Sequence, residues 1–160
     1  MRRLLKLLHV IGATGIAGGL AAFMLMLNYS PAPADIDAYA AVRRSVSVVS
    51  GWIVVPGTAL VLLSGLLALA VHRPFRRARW VWVKLGAGFV VAALTLVSVD
   101  AASRRAADAA TRAAAGDISL ADMQSAISDP WLVWWLLLCL ACINVVMAVW
   151  RPRLGQRGVL

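Results

Sequence analysis

The stretch LLKLLHVIGATGIAGGLAAFMLML, Leu4 to Leu27, constrains this chain more than any other. At about 24 residues and roughly 1.5 Å of rise per residue, it is long enough to cross the hydrocarbon core of a bilayer with some tilt. The run exceeds the apolar core of a secretory leader, so a retained span is expected. Its polar content is sparse and therefore informative. Lys6 can extend back to the interface, whereas His9 lies about 9 Å beyond Arg3 at helical rise. An ionisable group at that depth costs a few kcal/mol unless it faces protein, water or a bound group. Gly12, Gly15, Gly18 and Gly19 strip bulk from the same helix and invite close approach to its backbone.

Three more apolar stretches follow, at about residues 45–71, 80–99 and 130–150. The composition supports membrane spans: 62% hydrophobic residues, 14% charged residues and a mean hydropathy of +0.82. The expected fold is all-α, a single integral membrane domain over residues 1–160 built as a four-transmembrane-helix bundle in up-down-up-down order. Pro56 and Gly57 should weaken or kink the second span, with Thr58 and Ser64 able to bond the freed carbonyls. Residues 28–44 read as a short loop with one interfacial turn. Residues 100–129 read as a longer external loop. There the alanine-rich run favours a helix to Ala115, Gly116 ends it, and Ser119 with Asp122 caps another short helix.

The net charge of +9 would suggest nucleic acid in a soluble chain. Here the charge sits in short segments flanking the spans, so it reads as a topology signal and nucleic-acid binding is not expected. Arg2, Arg3, Lys6, Arg73, Arg76, Arg77, Arg79, Arg151, Arg153 and Arg157 fall on one side with no acid among them. The other two loops carry all seven acids together with Arg43, Arg44, Arg104, Arg105 and Arg112. By the positive-inside rule both termini are cytoplasmic and the acid-bearing loops external. The expected location is a bacterial inner (cytoplasmic) membrane, crossed several times. The lipid bilayer is the first partner, with a second membrane protein or a homo-oligomer as further candidates.

That topology brings polar residues to one depth. His9 enters from the terminal side of span one, Lys84 from the same side of span three, and Asn144 lies roughly 10 Å inside Arg151 in span four. Such side chains turn inward, away from lipid. A neutral imidazole is a common metal ligand and an axial ligand of haem iron. Gly12 and Gly19 would leave room for a flat macrocycle beside it. Lys84 would pair with an anionic group or carry a proton, and Asn144 would orient a ligand. The competing reading gives all three a structural role: a carbonyl partner for His9, an interfacial position for Lys84 and a helix bridge for Asn144. No second histidine lies within a span, since His72 falls in the basic turn, so His9 would be the sole imidazole ligand with Met147 nearest in depth among the methionines. Cys139 and Cys142, spaced C-x-x-C inside an apolar helix, read as small packing residues. No nucleophile–base set or phosphate loop occurs to suggest hydrolase or kinase chemistry.

LLKLLHVIGATGIAGGL, with its early histidine and glycine-rich face, resembles the opening of a superfamily of small bacterial membrane proteins. That superfamily includes HemJ-type protoporphyrinogen oxidases, CopD-like copper-resistance proteins and an uncharacterised branch of predicted integral membrane proteins. RWVWVKLGAGFVV is similar to the HemJ-type pattern of a tryptophan preceding a lysine, and SGLLAL at Ser64–Leu69 is similar to the uncharacterised branch. Ile16 to Leu27 lacks the further Arg and His residues of HemJ-type proteins, which makes the uncharacterised branch the nearest likeness. The resemblance implies haem b, with His9 as the ligand and Lys84 as the family lysine. A haem-binding redox protein acting on a porphyrin or quinone is therefore one expected function. A non-enzymatic accessory subunit, or a carrier of copper or another small ligand, is the alternative, and enzymatic status stays open.

Overall fold

The computed structural model describes residues 2–71 and 79–149; the side chains of Arg2, of residues 79–81, 83 and 84, and of residues 144–149 lie outside that description. The described residues are helical, joined by short turns, and contain no strand. Helix α1 spans Arg2–Asn28. A turn then leads to Asp35, whose carboxylate accepts the Ala38 amide and starts α2, Ile36–Val49. Helix α2 runs through a π-helical turn at Ser50–Val54 into α3, Val55–Val71. Helix α4, Arg79–Leu94, likewise passes through a π-helical turn at Thr95–Asp100 into α5, Ala101–Ala114. Helices α6, Leu120–Ala126, and α7, Trp131–Val149, complete the fold.

Three uninterrupted helices, Arg3–Asn28, Ile36–Val71 and Leu85–Ala114, are long and apolar enough to cross a membrane. The pair α6 and α7, bent by 44° at the break before Trp131, makes a fourth crossing when counted together. The expected all-helical membrane fold is therefore observed, with two differences at the loops. Residues 36–44 are helix, not loop, because the Ala-rich run IDAYAAV has high helix propensity and a face to bury. Tyr39 and Ala40 pack there with Ala109, Ala110 and Met123. The alanine-rich helix also continues span three directly instead of standing apart from it. It ends at Gly116, whose φ of 80° suits glycine, and Ser119 caps α6 by accepting the Asp122 amide.

These joins make helices longer than a bilayer needs. The 36 residues of Ile36–Val71 would run about 54 Å, against a hydrocarbon core of about 30 Å. The α2–α5 end therefore projects as a helical cap, with α6 folded against it. Pro56 does not break its helix. The wider π-turn sits where the proline ring would otherwise crowd the Trp52 carbonyl, and the Thr58 hydroxyl donates to the Val54 carbonyl at 2.8 Å.

Below the cap, Leu20, Phe23, Met24, Val46, Val54, Val99, Trp134 and Leu137 form the main core. Phe23 and Trp134 meet edge to face, with ring centroids 4.7 Å apart. Trp134 is 1% exposed despite its polar N–H. The π-turn resolves this: the Trp134 indole N–H donates to the Ser98 carbonyl at 2.7 Å. Leu25, Trp52, Val90, Val97, Leu132 and Leu136 are exposed, as residues facing acyl chains should be.

Candidate functional site

Helices α1 and α3 run antiparallel, and their contacts show a fixed register. His9 meets Val61 and Ser64, Gly12 meets Gly57, and Gly19 meets Ile53 and Val54. A Cβ on Gly12 would lie 2.7 Å from the Gly57 carbonyl oxygen, and one on Gly57 would lie 2.9 Å from the Gly12 carbonyl oxygen. The two backbones therefore touch, and only glycine permits it at either position. At Gly19 a Cβ would lie 2.7 Å from Val54 Cγ2. The room expected at Gly12 and Gly19 for a flat macrocycle is filled by α3 and by the π-helical turn that precedes it. Sequence pattern alone identifies a close approach without identifying what approaches.

This register brings His9 to the buried hydroxyl of Ser64. His9 Nδ1 lies 3.0 Å from Ser64 Oγ and 3.2 Å from the Val61 carbonyl oxygen. The Ser64 hydroxyl itself donates to the Val61 carbonyl at 3.0 Å. A carbonyl oxygen can only accept, so the Val61 contact is a hydrogen bond in the tautomer that carries its proton on Nδ1. In that tautomer Ser64 Oγ, its hydrogen given to Val61, accepts from the same N–H. The imidazole is thus anchored through Nδ1 by a hydroxyl and a carbonyl of the neighbouring helix, a pattern that also supports ligating histidines.

The other expected members of this layer are only partly placed. Lys84 belongs to α4 and Asn144 to α7, but their side chains, and that of Met147, lie outside the described residues, as does His72 altogether. Among the described residues no group of three or more His, Cys, Asp or Glu side chains could hold a metal ion. Cys139 and Cys142 are exposed on the apolar surface of α7.

A second polar set, at the cap end, was not expected from sequence. Arg43 is 7% exposed and donates from both terminal nitrogens to Asp129, at 2.9 and 2.8 Å. Its Nε donates to the Tyr39 hydroxyl at 3.0 Å. Burial works against the Arg43 charge, but Asp129 and Tyr39 outweigh it and hold the guanidinium above its ordinary range. Nearby, Asp100 accepts from the Ser50 hydroxyl at 3.2 Å and from Arg104 Nε at 2.9 Å, joining the two π-turns. Among the described residues no buried side-chain nitrogen or oxygen lacks a hydrogen-bond partner, which marks these sets as structural joints. Charge counting could register Arg43 and Asp129 only as loop charges, because 86 residues separate them.

Searches of curated proteins and of solved structures return no match. The model of a family described as predicted integral membrane protein (DUF2269) matches residues 3–152, nearly the whole chain. With membrane-length helices through that same region, the protein belongs to the DUF2269 family of integral membrane proteins.

Proposed function

We propose that this multi-pass membrane protein binds haem b, or a related redox ligand, through His9. The proposal places it in the bacterial cytoplasmic membrane with both termini on the cytoplasmic side. The observation carrying this reading is the anchoring of the His9 ring by Ser64 and the Val61 carbonyl. Fixing a ring through Nδ1 is a common way of orienting an imidazole that ligates iron. The resemblance to the HemJ and CopD superfamily supports the same assignment. The residues fit such a group in part. His9 is anchored by the neighbouring helix as an axial ligand would be, while Gly12 and Gly19 belong to helix packing and would not line its binding space.

When bound, such a group supplies one-electron chemistry toward a porphyrin or quinone. The chain's own part is to fix the imidazole through Ser64, and to offer Lys84 as an anion or proton partner and Asn144 as an orienting amide. A Soret band in protein purified from haem-replete cells, lost in His9→Ala, is the expected result. Wild-type protein without that band, in material that is folded by circular dichroism, would overturn the reading. The filled seam between α1 and α3 favours a second reading, a non-enzymatic accessory subunit or a small-ligand or copper carrier. On that reading His9→Ala leaves all spectra unchanged, and metal analysis decides whether copper is carried.

A further inference from the structure

Two long spans pass through π-helical turns that meet side by side, and only one of the two has a cause in its own sequence. In the first, the Val55 N–H donates to the Ser50 carbonyl, and Pro56 follows directly. In the second, the Ala101 N–H donates to the Leu96 carbonyl. That segment reads TLVSVD, with neither proline nor glycine to interrupt an α-helix. A π-turn holds one residue more than the α-helical turn it replaces, and such turns gather at functional sites. This one is held by its neighbours. The Trp134 indole N–H donates to the Ser98 carbonyl at 2.7 Å, and the Ser50 hydroxyl donates to the Asp100 carboxylate at 3.2 Å.

The helices on either side of this turn are unequally held. On the cap side, α5 buries Ser103, Ala106, Ala107, Ala109 and Ala110. On the other side, residues 85–94 of α4 bury Ala92 alone, with Leu85, Gly88 and Val91 half-buried along the same stripe. Phe89, Val90 and Leu94 are exposed, and a Cβ on Gly86 would meet nothing within 4 Å. Only 17% of the apolar window in Leu85–Ala114 is buried, against 44% in Arg3–Asn28. The run LGAGFVVAAL is apolar on every side, so turning it about its axis exchanges one apolar face for another against lipid.

We propose that the turn at Thr95–Asp100 is a register switch, which reverts from π to α when its contact with Trp134 or Ser50 lets go. Helix α5 stays fixed in the cap, so the reversion hands the spare residue to α4. Each residue of α4 then takes the place of its predecessor, a rotation of about 100° and a shift of about 1.5 Å away from the cap. The buried stripe passes from Gly88 and Ala92 to Phe89 and Ala93. Lys84, on the same helix, is carried to the place of Val83. On the haem reading, on which this one consequence rests, the switch brings Lys84 toward His9 or withdraws it. The switch itself needs only the two clasps and the loose packing of α4.

The test follows the exposure of α4 in the full-length protein in lipid vesicles, without haem. Nitroxide labels are placed one at a time on residues 89–93, in a Cys139→Ala, Cys142→Ala background, and their accessibility to oxygen is measured. With no further change, the minimum should fall at residue 92. Trp134→Phe keeps a ring in the core but loses the donor to Ser98, and should move the minimum by one residue, to 89 and 93. Ser50→Ala removes a single hydroxyl, should act in the same direction, and decides the matter if Trp134→Phe does not fold. Deleting Leu96, an exposed residue of the turn, removes the spare residue. The minimum should then stay at 92, even with Ser50→Ala added. A shift in either substitution supports the switch, and a minimum that stays at 92 in both overturns it. Loss of the helical circular dichroism signal on deleting Leu96 also overturns it, because the turn would then hold no spare residue.

Discussion

Gly12 and Gly18 differ by fewer than two turns of one helix, yet they have opposite surroundings. A Cβ at Gly12 meets the Gly57 carbonyl at 2.7 Å, whereas at Gly18 nothing lies within 4 Å. Gly12→Val should therefore destabilise the protein by about 1–3 kcal/mol, the usual cost of overpacking, while Gly18→Val should change stability little. Unfolding by denaturant in detergent micelles, followed by circular dichroism, separates the two. Equal costs would mean that the glycine contact does not set the approach of α1 and α3. The sequence made the close approach legible, because small residues at helical spacing in an apolar run mark a packed face. It could not identify α3 as the occupant, since that depends on the register between helices about fifty residues apart. The same register places Ser64 beside His9. Ser64→Ala should leave the fold intact but remove one of the acceptors that orient the ring. On the haem reading, the Soret maximum or the reduction potential then shifts while binding persists. No shift in either would separate Ser64 from any role in tuning the site.

At the scale of elements, the cap is joined to the bundle by charge as well as by apolar packing. Arg43 on α2 holds Asp129, the residue before Pro130 at the start of α7, through a two-pronged ion pair. Removing one partner leaves the other poorly solvated, so Arg43→Gln should cost about 3 kcal/mol. Removing both should cost less than the sum, because neither charge is then stranded. A double-mutant cycle with Arg43→Gln and Asp129→Asn, read from unfolding free energies, measures that coupling. Additive losses would show that the pair contributes no mutual stabilisation. Local signals served well in this region. Gly116 and Ser119 announced where α5 stops and α6 starts because the left-handed turn and the N-cap are each made by residues close in sequence. The Arg43–Asp129 joint was illegible for the opposite reason: its halves meet only after the chain has crossed the bundle.

For the whole molecule, the antiparallel bundle has two unlike ends. One carries the cap formed by α2, α5 and α6, and the other carries His9 and Ser64. Every acidic residue of the chain lies in residues 35–37 or 100–129, on the cap side. The sequence beyond the opposite end is basic and contains no acid, and the proposed topology, which follows the positive-inside rule, has that end in the cytoplasm. The orientation can be read with thiol labelling in intact cells, using a background in which Cys139→Ala and Cys142→Ala remove the native thiols. Ser119→Cys, at the exposed start of α6, should react with a membrane-impermeant maleimide added outside. Arg76→Cys, in the basic segment between the second and third spans, should react only after the cells are permeabilised. The reverse pattern would place the cap in the cytoplasm and His9 toward the outer leaflet. That inversion would also change the chemistry open to His9, since an electron or proton partner would then have to reach it from outside the cell. The topology experiment thus bears on the redox reading before any spectrum is recorded.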